Sequence, residues 1–113
     1  MTNPFIVEIK HKRQLERLPP GQLVSKLGKI GLYVGEEDCG FQPALGSHIC
    51  PTVIYPINNG VINREAIFYF RRDPKKGEVL FISQCSNLSR VNETDERYKH
   101  YRDLLKANFL TLS

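Results

Sequence analysis

The stretch Glu78-Val79-Leu80-Phe81-Ile82-Ser83-Gln84-Cys85-Ser86-Asn87-Leu88-Ser89-Arg90 decides how the fold is read. Its first half, Glu78 to Ser83, is apolar and partly β-branched, a strand pattern. Its second half is a run of small polar residues, whose side chains compete for backbone hydrogen bonds and favour turns and helix caps. Upstream, Ala66 to Arg71 is another strand pattern, and Asp73-Pro74-Lys75-Lys76-Gly77 carries turn chemistry, so the two strands are expected to pair as a hairpin. Downstream, Tyr98, Tyr101, Leu105 and Phe109, with Leu104 beside them, recur at helical spacing and predict a helix packed on the sheet. Asn92 or Thr94 can accept from its first free amides, and Glu93, Asp95 and Glu96 suit the positive end of its dipole.

The N-terminal half reads less regularly. Phe5 to Ile9 alternates like a short strand, and Lys10 to Leu18 suits one or two helical turns before Pro19-Pro20-Gly21 stops them. Gln22 to Leu27, with Leu23, Val24 and Leu27 apolar, reads as a second short helix ended by Gly28. Lys29 to Val34 is a strand pattern, and Gly35 to Pro51 reads as the longest loop. Thr52 to Ile57 is a further strand, placed at an edge or bulged because Pro56 cannot donate to a ladder. Asn58-Asn59-Gly60 is a turn of the kind that requires positive φ. The expected fold class is α+β: a small, mainly antiparallel sheet of four or five strands with a C-terminal helix packed across it.

A chain of 113 residues, 41% hydrophobic and 25% charged, has the length and composition of one soluble domain. Residues 1–62 hold the N-terminal strands and short helices, and residues 63–113 the hairpin and helix. No apolar run approaches the ~20 residues of a spanning helix, and the N-terminus lacks the order of a signal peptide, so a cytoplasmic location without membrane partners is expected. Three cysteines, an odd number, argue against a disulfide framework. A net charge of +4 permits contact with nucleic acid without requiring it.

Glu65 to Leu104 resembles the second half of the GIY-YIG nuclease signature. In that family a hairpin presents two tyrosines, a turn with an Asn leads into a helix carrying an Arg, and a later Glu binds a divalent metal. By this resemblance either Phe68 or Tyr69 stands for the first Tyr, Tyr69 alone keeping the hydroxyl, and Phe81 stands for the second. Ser83 replaces a Gly, and Asn87 is kept as the implied cap of the turn into the helix. The Arg position, ten residues beyond Phe81, is Val91, with Arg90 beside it. Arg97-Tyr98-Lys99 matches a further family segment, but Asp95 and Glu96 stand where histidines would precede it. No Glu follows Lys99. An apolar side chain cannot stabilise the charge of a phosphoryl transition state, and no metal ligand is suggested. The resemblance therefore implies a catalytically degenerate domain, with Tyr69, Phe81, Asn87 and Arg90 as a vestigial site, that binds nucleic acid or a protein partner.

Three basic clusters bear on that partner. They are Lys10 to Arg17, the expected hairpin tip with Arg71, Arg72, Lys75 and Lys76, and the C-terminal helix with Arg97, Lys99, Arg102 and Lys106. Of these, Arg71, Arg72, Lys75, Arg97 and Lys99 are the expected contacts to DNA or RNA phosphates. Cys39, His48, Cys50 and Cys85 are soft metal ligands, but their spacing matches no common zinc site, so no metal is expected. A different class of function is a small accessory subunit of a protein assembly with no nucleic-acid role. A third is a weakly active nuclease using Tyr69 and Arg90, the only reading that needs a cofactor, magnesium.

Overall fold

The computed structural model describes residues 5–11, 13–38, 49–69 and 84–109, the side chains of 13, 16, 68, 69, 84 and 85 excepted. Within them the chain forms one six-stranded sheet and one long helix, an α+β arrangement. The strands are β1 (Ile6–Glu8), β2 (Leu23–Lys26), β3 (Lys29–Asp38), β4 (Ile49–Ile54), β5 (Val61–Tyr69) and β6 (Gln84–Asn92). They lie side by side in chain order, antiparallel except for β1, which runs parallel to β2. A single helical turn, α1 (Arg13–Glu16), joins β1 to β2, and α2 (Arg97–Phe109) follows β6.

Each face of the sheet carries a buried core. On one face Leu23, Leu32, Ile54, Ile62 and Val91 pack with Tyr98, Tyr101 and Leu105 of α2. On the other face Val24, Tyr33, Val53, Tyr55 and Ile67 surround Leu15 of α1. Because alternate residues of a strand point to opposite faces, neighbours such as Leu23 and Val24 each reach a separate core.

That two-sided burial corrects the reading of Gln22 to Leu27 as a helix. Adjacent apolar residues suit a helical face, but here they feed two cores, and the segment is β2. It turns into β3 through Leu27 (φ 51°) and Gly28 (φ 81°), a pair with the positive φ angles of a two-residue hairpin. The turn expected at Asn58-Asn59-Gly60 is present, with Asn59 at φ 52° and Gly60 at φ 74°, and Asn58 and Val61 exchange hydrogen bonds across it.

Three further expectations change. The loop expected over Gly35 to Pro51 begins and ends in strand, since β3 runs to Asp38 and β4 starts at Ile49. The strand holding Thr52 is interior, between β3 and β5, and tolerates Pro56 because it ends at Ile54. Most consequentially, Gln84 to Asn92 is a strand rather than a polar turn opening a helix. It pairs with β5 through nine consecutive partners without a register break. Backbone pairing along this ladder outweighs the local turn preference of Ser86, Asn87 and Ser89. The expected turn at 73–77, the strand over 78–83 and the residues Arg71, Arg72, Lys75 and Phe81 lie outside the described residues.

Candidate functional site

The positions of the nuclease resemblance fall along the β5–β6 ladder. Asn87 pairs with Ala66 in mid-strand, so it caps no helix. Val91 is fully buried in the core beneath α2, while Arg90, its neighbour, is exposed on the opposite face. A strand turns successive side chains by about 180°, so Arg90 cannot act from the place of residue 91. Tyr69 pairs with Gln84 and Arg90 with Asn63. Six residues of strand therefore separate them, about 20 Å at ~3.3 Å per residue. The fold does not bring Tyr69 and Arg90 together. The side chain of Tyr69, like Phe81, is outside the described residues, as are Cys39, His48 and the side chain of Cys85. Cys50 is buried in β4. Among the described residues no group of three or more His, Cys, Asp or Glu side chains is placed to hold a metal.

The polar chemistry that the fold does assemble lies elsewhere. Arg64, in β5, is only 3% exposed. Its Nε donates to the Tyr101 hydroxyl of α2 at 3.0 Å, and its Nη2 donates to the Asp38 carbonyl at 2.8 Å. Tyr101 in turn donates its own proton to Glu37 Oε1, and Glu37 lies 3.6 Å from the Arg64 guanidinium. Burial, reinforced by Glu37, pushes the Tyr101 phenol up to about 12.

Glu37 faces the helix because β3 is bulged. Tyr33 pairs with Val53 and Gly35 with Thr52, leaving Val34 as an extra residue. In an unbroken strand Glu36 would stand on the helix side, and the bulge puts Glu37 there instead. Gly35 adopts φ +96°, and a Cβ added to it would lie 3.1 Å from Pro20 Cγ, so both backbone and space favour glycine.

A second cluster occupies the other face. Glu65, 6% exposed, accepts from Lys26 Nζ at 2.5 Å and from the Tyr55 hydroxyl at 2.6 Å. Burial alone would raise the Glu65 carboxyl, but these two donors, with Ser86, outweigh it and hold it below its ordinary range. The Tyr55 phenol is pushed upward, by burial first and then by Glu65. Lys29 Nζ sits 4.6 Å from the centroid of the Tyr55 ring, a cation–π contact. Every member of this cluster has a partner, so it serves to join β2, β5 and the residue that follows β4 rather than to offer a free reactive group.

The exposed charge of α2 is the remaining candidate. At 3.6 residues per turn, Lys99, Arg102 and Lys106 fall within one stripe, set apart from the buried Tyr98, Tyr101 and Leu105. Arg97 is held at the helix start, where Asp95 Oδ1 accepts from its backbone N–H at 2.9 Å and the Asp95 carboxylate also binds its guanidinium at 2.8 Å. Those Arg97 bonds hold the Asp95 carboxyl down at about 2. Glu93, Asp95, Tyr98, Lys99 and Arg102 line an open groove beside this end of the helix. Of the residues expected to bind phosphate, Arg97 and Lys99 are therefore described, both exposed.

Sequence reasoning missed Arg64, Glu65, Glu37, Tyr55 and Lys26 as partners. A signal existed for Arg64, which shares the period-two row of Ile62 and Ala66, both fully or nearly fully buried. Comparison with protein-family models, curated proteins and solved structures returns no match.

Proposed function

We propose that this domain is a binding module that contacts the phosphate backbone of DNA or RNA through α2. The observation that carries the reading is the stripe of Lys99, Arg102 and Lys106. It is presented on the solvent side of a helix whose other side is anchored by Tyr98, Tyr101 and Leu105. Lys99 and Lys106 form no ion pair among the described residues, so their charge is available to a polyanion. Arg97 lies outside this stripe and is paired with Asp95, where it fixes the helix start. Descent from a GIY-YIG nuclease is proposed on the quoted residues alone. Binding without cleavage is favoured by the burial of Val91 and by the separation of Tyr69 from Arg90, and no catalytic step is routed through them.

The test is binding to a labelled DNA or RNA oligonucleotide across a salt series. Wild-type affinity should fall steeply with salt, and a Lys99→Ala/Lys106→Ala variant should bind more weakly. Its salt slope should be shallower by about two, at ~0.9 per phosphate contact on duplex DNA. Absence of binding to DNA and RNA at low salt would reject the reading. It would favour an accessory subunit of a protein assembly. A specific feature suits that second reading: Leu27 and Ile57 are exposed at the turns of the same end of the sheet.

A further inference from the structure

Among the described residues the outer edge of β6 is long, regular and little protected. No strand pairs with it among the described residues, and it has no proline, no bulge and a single charge, Arg90. Protected edges usually carry several of those features. Its backbone direction follows from its neighbours. Tyr55 N–H donates to the Asn63 carbonyl, and Val61 exchanges hydrogen bonds with Asn58, so residues 61 and 63 of β5 turn their backbone groups away from β6. In a regular antiparallel ladder the alternate residues turn the other way, so Ile62, Arg64 and Ala66 serve Val91, Ser89 and Asn87. Ser86, Leu88 and Arg90 are left with N–H and C=O groups pointing outward. Leu88 is also 64% exposed, although it stands in mid-strand.

We propose that this edge pairs antiparallel with the β6 edge of a second copy of the chain, about a twofold axis at Leu88. In that register Leu88 meets Leu88 and each Arg90 meets Ser86, so Ser86, Leu88 and Arg90 all exchange backbone hydrogen bonds and no like charges face each other. Shifting the centre to Arg90 would set the two guanidinium groups opposite one another. The exposed Leu88 side chains cover each other, and the sheet grows from six strands to twelve. The pairing is independent of the polyanion reading, since it uses none of the α2 cations.

Sedimentation across a concentration series should show the 13.0 kDa chain passing to twice that mass. Leu88→Pro removes one outward N–H and none of those bonded to β5, so the fold should survive while dimerisation weakens about tenfold or more. Leu88→Lys, which sets like charges across the axis, should act in the same direction without a backbone change. Hydrogen exchange locates the interface: the amides of Ser86, Leu88 and Arg90 should slow on dimerisation, while those of Asn87 and Ser89 are slow throughout. A constant mass at all concentrations would overturn the proposal. So would self-association that is indifferent to both variants, or protection of the Ser86, Leu88 and Arg90 amides in the monomer.

Discussion

Arg64 of β5 donates to the Tyr101 hydroxyl of α2 at 3.0 Å, and this bond ties the helix to the sheet through a guanidinium that is almost wholly removed from water. The tyrosine is both acceptor and donor, since its own O–H donates a hydrogen bond to Glu37. Loss of the Tyr101 hydroxyl removes one partner from the buried Arg64, which keeps the Asp38 carbonyl, and one from Glu37.

Tyr101→Phe removes the hydroxyl and little else. Unfolding in urea should show a loss of about 1–3 kcal/mol, the range for stranding a buried or charged hydrogen-bonding group. The wild-type protein should also lose stability between about pH 10 and about pH 12. There the unfolded phenol releases its proton while the folded one, raised to about 12, retains it, so the unfolded state binds fewer protons. Tyr101→Phe should flatten that part of the pH profile. An unchanged profile would show the hydroxyl to be solvated.

Val91→Arg introduces the side chain that the proposed nuclease resemblance would place here. Val91 is fully buried among Ile62, Tyr98, Tyr101 and Leu105. An arginine there would be an unpaired charge in the core, and the expected cost is at least ~3 kcal/mol. Thermal unfolding should show a collapse of stability rather than a gain of cleavage. A well-folded variant would mean that the side chain escapes to the surface.

Lys26→Met tests the cluster on the opposite face. Glu65 has its carboxyl below the ordinary 4.5 in the folded protein, so its contribution is present above that pH and is lost as pH falls through the folded value. Lys26 is the strongest of the donors that lower it. Without Lys26 the carboxyl should rise, and loss of stability on acidification should begin at a higher pH than in the wild type. Urea denaturation at a series of pH values would measure the displacement. Coincident acid limbs would remove Lys26 from the account.

Gly35→Ala challenges the bulge that aims Glu37 at the helix. At φ +96° an alanine is strained, and its Cβ would press on Pro20. The expected cost is ~1–3 kcal/mol. Relaxation of the bulge would also withdraw Glu37 from Tyr101, so the tyrosine should ionise nearer its ordinary range, as read by ultraviolet titration. A destabilised variant with an unmoved tyrosine titration would confine the effect to the backbone.

Where local chemistry suffices, the sequence alone determined the outcome. The stripe of Tyr98, Tyr101 and Leu105 has one periodicity and one buried side, and it is the helix that packs on the sheet. Asn59-Gly60 turns because those residues tolerate positive φ at small cost. The α+β class follows from the same strand and helix patterns. Tertiary structure decided what non-local pairing controls. Ser86, Asn87 and Ser89 prefer turns in isolation, yet they run straight because β5 satisfies their ladder. Leu23 and Val24 suit a helix until the sheet acquires a core on each face. Arg64 has the look of a surface charge until Tyr101, 37 residues away, and Glu37, beyond a bulge, close over it. The physical reason is common to all three: the preference of a few residues is worth little beside burial and a completed hydrogen-bond ladder, and the partners that complete them are far away in the chain.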